Sequence, residues 1–202
     1  MNTQLLIIFA KNPILGKVKT RLAKSIGDDK ALEIYRFLLS HIQLEIKSLA
    51  VDIEVHYSHF IDKGDDWQHD RLKKKIQIKG DLGTKMGHAF QQAFAQGYHQ
   101  VIGVGTDIYN LKASDILAGF DQLEKNNFCL GPANDGGYYL IGMTRYKPQL
   151  FQNKSWSTSS VLKQSLQDLS SENVALLAEK MDIDTLEDLQ KIEELNQIIK
   201  TQ

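Results

Sequence analysis

Cysteine is nearly missing from this chain of 202 residues, where Cys129 stands alone. One thiol closes no disulfide framework and builds no thiolate zinc cluster, so a reducing, cytoplasmic setting is expected. An excess of either charge is lacking as well: 24 Lys and Arg stand against 25 Asp and Glu, a formal net charge of -1. That balance argues against a general nucleic-acid or membrane-surface binder, and any electrostatic effect has to be local. No apolar run is long enough to span a bilayer, and the opening MNTQLLIIFAKNP has no basic lead, so neither a membrane span nor a secretory leader is expected. Internal repeats, low-complexity tracts and linkers are missing too. A chain of this length then reads as one domain over 1–202.

What is present has the balance of a soluble globular protein, 42% hydrophobic and 24% charged. LLIIF (5–9) and VIGVG (101–105) are continuous, β-rich apolar runs, the pattern of strands covered on both faces of a parallel sheet. Further strands are expected at 51–57, at 75–80, near Phe128 and at 138–143. Between them, 28–49 places Leu32, Tyr35, Leu38, Leu39 and Ile42 at helical spacing, and 83–97 does the same with Met86, Phe90 and Phe94. Another helix is expected at 114–125. A last one runs through DTLEDLQKIEELNQIIK (184–200), with Leu186, Leu189, Ile192 and Leu195 as its stripe and Thr185 with Asp188 as a capping box. Alternating strands and helices imply right-handed βαβ units in an open, doubly wound, mostly parallel α/β sheet of three layers. The segment 144–160 is the most loop-like, a candidate flap over a site.

Open parallel sheets bind ligands beyond the carboxyl ends of their strands, where helix N-termini and loops converge. Two unusual stretches fall there. AKNPILGKVKTRLAK (10–24) carries Lys11, Lys17, Lys19, Arg21 and Lys24 without one acid, and GTD (105–107) follows the strand VIGV. Cations and a carboxylate at one sheet edge suit a phosphorylated substrate whose charge is shared between a divalent metal and Lys/Arg donors. The plain alternative is a solvated basic loop. A Walker A loop is excluded because Lys11 and Val18 stand where it needs glycine and Ser/Thr, and a dinucleotide fingerprint fails at Ile108. His56 and His59 lack a third ligand nearby and read as solvated histidines at a strand end.

Six blocks in order, AKNPILGKVKTRLA (10–23), GDLGTKMGHAF (80–90), GTDIYNL (105–111), GPANDGGYYLIGM (131–143), WSTSSVL (156–162) and DIDTLEDL (182–189), resemble the selenodomain-associated transferase 1 family. That family is also labelled arsenosugar-biosynthesis glycosyltransferases, and it lies within the GT-A-like nucleotide-diphospho-sugar transferase superfamily. The resemblance implies a donor-binding loop in which Lys11, Lys19 and Arg21 face the phosphates while Pro13 and Gly16 shape the turn, with Thr106, Asp81 and Lys85 near the nucleotide. It implies Asp107 and Asp184 as carboxylates for Mg²⁺ or Mn²⁺, and Asp107, Asp135 and Lys19 as catalytic residues. Asp135, Gly136, Gly137, Trp156 and Ser157 fall on the acceptor side. Each has a plainer alternative: a helix cap for Asp81, Asp107 and Asp184, a DG hairpin turn for Asp135, a core anchor for Trp156. Tyr109 departs from the proline common at that place in the family. The implied activity is metal-dependent glycosyl transfer from a nucleotide-sugar to a small-molecule acceptor. Nucleotidyl transfer from a nucleoside triphosphate, or a non-catalytic nucleotide-binding module, are the alternatives.

Overall fold

The computed structural model describes residues 3–200, so the first and last two residues of the expected 1–202 domain lie outside the described residues. Seven strands form one sheet in the order β3-β2-β1-β4-β6-β5-β7. They are β1 (Gln4–Ala10), β2 (Asp52–Tyr57), β3 (Leu72–Ile76), β4 (Gln100–Val104), β5 (Phe128–Pro132), β6 (Tyr138–Met143) and β7 (Val174–Leu176). All neighbours run parallel except β6, which is antiparallel to both β4 and β5. The expected three-layer, mostly parallel α/β architecture is therefore present.

The central strands separate their side chains by the two-residue period. In β1, Leu6 and Ile8 join a core with α2 (Asp28–Glu45) and α4 (Ala113–Leu123), while Leu5 and Ile7 join one with α3 (Leu82–Ala95). A third cluster packs α1 (Thr20–Ile26) and α2 against α6 (Leu186–Gln190) and α7 (Glu193–Lys200). Among the described residues, no helix is long and apolar enough to cross a membrane.

Several expectations need correction. The strand expected at 75–80 lies at Leu72–Ile76, because an edge strand needs cover on one side only and tolerates its lysines. Past it, Gln77 donates its backbone N–H to Tyr57 O and its side-chain amide to His56 O, which ends the pairing. The last helix is two: the chain tightens at Lys191 and Ile192, and Asn196 Nδ2 satisfies the Gln190 carbonyl across the break at 2.8 Å. Its stripe survives the break, with Leu189 and Leu195 fully buried and Leu186 and Ile192 partly so, and the Thr185–Asp188 capping box is formed. The expected flap at 144–160 is anchored at its middle. Leu150 and Phe151 are buried against α3, and the Phe151 carbonyl lies 2.3 Å from where a Cβ on Gly83 would sit, an approach that only glycine permits.

His56 is not solvated either. It is buried beside an equally buried Glu54, with Nε2 to Oε2 at 3.0 Å, and Lys75 Nζ from β3 stands 2.7 Å from Glu54 Oε1; only His59 is exposed. Burial pushes the Glu54 carboxyl up, but His56 and Lys75 outweigh it and hold the group below its ordinary 4.5. The unfolded chain therefore takes up this proton first as pH falls. The stability Glu54 contributes is complete above pH 4.5 and is lost as pH drops through the lower folded value. Urea unfolding measured from neutral pH downward is expected to lose free energy more steeply in the wild type than in Glu54→Gln below pH 4.5, by at most about 1.4 kcal/mol per pH unit. Parallel curves for the two proteins contradict this account of the cluster.

Candidate active site

Four stretches of chain meet at the carboxyl edge of β1, β4 and β5. The first loop ends at Lys19, which stands at the N-cap of α1 in the left-handed region (φ 47, ψ 41). For a residue with a Cβ this conformation carries strain of roughly 1–3 kcal/mol, and it persists only where the surroundings impose it. Here they do. The Lys19 side chain is 2% exposed, and its Nζ lies 2.6 Å from Asp107 Oδ1 and 3.3 Å from Asp184 Oδ1. Arg21, in the first turn of α1 and open to solvent, reaches Asp184 Oδ2 at 3.6 Å.

Asp107 follows β4, and the segment bearing Asp184 is clamped to it. Ile108 pairs with Asp182, Ala133 with Lys180, and the Ile183 N–H donates to Asp107 O at 3.1 Å. The stretch from Lys180 to Asp184 thus crosses the loops after β4 and β5 and brings its acids to both. Thr185, not Asp184, caps α6, so the Asp184 carboxylate is free to face Lys19, and the helix-cap alternative does not describe it. Among the described residues no backbone N–H caps onto the Asp107 carboxylate either, and it faces Lys19 instead. Burial raises its carboxyl, but Lys19 and then Lys11 outweigh that and hold it below the usual carboxylate range.

Asp135 sits at the tip of the β5–β6 hairpin, where Oδ1 accepts the Gly137 N–H at 2.8 Å and Gly136 takes φ 85. The DG turn is real, and the same turn directs a negative charge at the site: Asp182 is pushed up to about 6 by burial, then by Asp135 and Asp184. The other anticipated residues are more scattered. Gly16 (φ 69) forms the turn that leads toward the start of α2. Thr106 is tied in through Tyr35. Asp81 caps α3 by accepting the Thr84 N–H at 2.8 Å, with Lys85 nearby as a charge partner. The indole of Trp156 lies against Gly83 of α3, a core-anchoring position, while Ser157 is exposed in the left-handed region.

Three residues escaped the sequence reading. Asp182 is two places before Asp184, the spacing that puts both on one side of an extended segment. Tyr35, buried on α2, accepts the Lys11 N–H at 2.9 Å and directs its own hydrogen to Lys11 O at 3.0 Å, with Thr106 Oγ1 at 3.2 Å. It joins the basic loop to the Asp107 loop, yet by pattern it was only a core aromatic. Asn12, buried in the basic loop, binds the β2–β3 connection.

Two carboxylates that aim oxygens at one point occupied by an ammonium form a cation position, which fits a divalent ion. Among the described residues no cluster of three or more His, Cys, Asp or Glu is arranged to hold a metal. An ion here would be completed by substrate phosphate and water, the usual habit of Mg²⁺.

The sheet order and this edge site define a nucleotide-diphospho-sugar transferase-like fold. A crystal structure from Desulfovibrio desulfuricans G20, provisionally assigned as a nucleotide-diphospho-sugar transferase, matches at TM-score 0.86 and 30% identity over 94% of this chain and 85% of that one. The 4-diphosphocytidyl-2C-methyl-D-erythritol synthase of Anaerococcus prevotii DSM 20548 shares the fold at TM-score 0.57 and 10% identity over 96% and 98% of the two chains. The inositol-1-phosphate CTP transferase of T. maritima does so at 0.52 and 15% over 97% and 96%. No curated protein matches the sequence significantly. The chain belongs to the DUF2064 family, described as an uncharacterized protein conserved in bacteria, whose model matches residues 45–158. That span includes Asp107 and Asp135 and excludes the basic loop and Asp184.

Proposed function

We propose that the protein is a cytoplasmic, metal-dependent glycosyltransferase that takes a nucleotide-sugar donor and a small-molecule acceptor. The observation that carries this reading is the Lys19 ammonium held between Asp107 and Asp184 at the carboxyl edge of the sheet. The 30% identical relative assigned to nucleotide-diphospho-sugar transfer supports it. In this reading Lys11, Lys19 and Arg21 hold the donor diphosphate and meet the charge that grows on the leaving phosphate, stabilisation that needs no covalent intermediate. Gly16 and Thr106 shape that loop and its neighbour, and Asp81 and Lys85 border the nucleotide. Asp107 and Asp184 hold Mg²⁺ or Mn²⁺. The bound ion supplies further neutralisation of the departing diphosphate. Asp135, fixed by its bond to the Gly137 N–H, orients the acceptor beside Gly136, with Ser157 and Trp156 on the outer acceptor side.

A second reading, nucleotidyl transfer from a nucleoside triphosphate with pyrophosphate release, is favoured by one observation. Lys11 acts electrostatically on Asp107 yet makes no ion pair among the described residues, and leaves charge for a third phosphate. Thermal unfolding of the purified protein with nucleotide-sugars, nucleoside diphosphates and nucleoside triphosphates, each with Mn²⁺ or Mg²⁺, separates the two. A donor at a hundred times its Kd stabilises by about 2.7 kcal/mol, which raises the midpoint by about 5–10 °C for a chain of this size. A metal-dependent shift with a nucleotide-sugar supports glycosyl transfer, a shift with a triphosphate alone supports the second reading, and no shift with any nucleotide removes both.

A further inference from the structure

Lys19 does not merely neighbour the cation position but fills it. Its Nζ lies within 3.3 Å of an oxygen of each aspartate, the side chain is 2% exposed, and the backbone is held at φ 47 to bring it there. The aspartates are more open, 44% and 35% exposed, so what blocks an incoming ion is the ammonium between them. A divalent ion placed against these same oxygens would stand about an ion's width from a unit positive charge, in a setting where the repulsion is strong. Ion and ammonium therefore exclude one another unless a second anion draws the ammonium away. The first loop provides for that. Arg21 reaches the same Asp184 at 3.6 Å and Lys11 acts electrostatically on the same Asp107, so a phosphate group bound among these cations would offer Lys19 a new partner at short range.

From this geometry we propose that Lys19 is a resident cation that keeps the metal position closed in the free protein, so that donor phosphate must arrive before a divalent ion binds. The proposal rests on the transferase reading for the identity of the anion, but the exclusion itself concerns only this chain and the ion. Metal and donor then bind in order, and an ion does not accumulate at an empty donor site.

The test uses Mn²⁺ alone with the free 202-residue chain, its binding read by loss of the free-ion electron paramagnetic resonance signal. Lys19→Asn is the informative variant because asparagine tolerates the left-handed backbone and removes the charge, and circular dichroism checks that it folds. It is expected to bind Mn²⁺ about tenfold or more tightly than the wild type. Lys19→Arg, which keeps the charge, is expected to bind no better than the wild type, and adding Asp107→Asn to Lys19→Asn is expected to abolish the gain. The proposal is overturned if folded Lys19→Asn binds no more tightly than the wild type, or if Lys19→Arg gains as much as Lys19→Asn. If Lys19→Asn does not fold, Lys19→Gly, which also suits that backbone, takes its place. The two readings fail separately. Nucleotide shifts without the Mn²⁺ gain retain the transferase and remove the resident cation, whereas the Mn²⁺ gain without any nucleotide shift does the reverse.

Discussion

If the proposed function holds, Asp107→Asn is expected to lower turnover with the cognate donor by about 100- to 1,000-fold, the scale lost when one preorganised electrostatic element of a site is removed. The substitution keeps the size of the side chain and an oxygen for Lys19 while deleting the charge. Lys19 then has a single carboxylate partner, Asp184 at 3.3 Å, in place of the closer Asp107 at 2.6 Å. The proposed metal position would lose one of its two carboxylates, and loss of that charge would weaken ion binding as well as catalysis. The fold should barely notice, because the bond that clamps the Lys180–Asp184 segment comes from the Asp107 backbone carbonyl and survives any side-chain change. Steady-state kinetics with the donor found by thermal shift, alongside unfolding midpoints, tests this. A variant with parental turnover removes Asp107 from the machinery, and a variant that fails to fold shows that the ion pair with Lys19 is structural.

How much of this was legible in the sequence depends on the range of the interaction concerned. The strands β1 and β4 declare themselves because parallel strands buried on both faces leave continuous apolar runs, and the helices between them carry their own period. Edge strand β3 hid behind three consecutive lysines, since it is held by backbone pairing with β2, where Lys75 meets Glu54, a partner no local window contains. His56 was misread for the same reason. At the site, the first loop and the carboxylate after β4 were visible as a charge anomaly and a strand end. That Lys19 is the lysine facing two carboxylates, Asp107 after β4 and Asp184 165 residues away, shows only once the chain is folded. The double use of the DG turn, as a hairpin and as a charge facing Asp182, follows only once the segment before α6 folds back across the sheet edge.

Asn12→Ala is expected to cost about 1–3 kcal/mol, a large effect for a loop residue. Asn12 is 1% exposed and works as a clamp between the basic loop and the β2–β3 connection. Its Oδ1 accepts from His59 N at 2.9 Å, Phe60 N at 3.3 Å and Ser58 Oγ at 3.3 Å, while its Nδ2 donates to Phe60 O at 2.9 Å. Alanine removes the buried partner of those groups, and an unsatisfied buried group costs about 1–3 kcal/mol, a loss that water offsets in part because His59 and Phe60 are themselves exposed. Asn12→Asp separates the two halves of the clamp. It keeps the three accepted bonds but sets an oxygen against the Phe60 carbonyl, so it should also destabilise at neutral pH. It should recover in part on acidification, when the carboxyl gains a proton to donate. Urea unfolding of both variants across pH reads this directly, and an Asn12→Ala protein within about 0.5 kcal/mol of the wild type would show that surrounding water or neighbouring chain replaces the lost bonds. Because Asn12 adjoins Lys11, whose backbone Tyr35 fixes on the other side, the loosened loop should also hold Lys19 less firmly. The same variant is therefore expected to weaken donor binding without touching a charged residue, which separates an effect on loop placement from the electrostatic loss in Asp107→Asn.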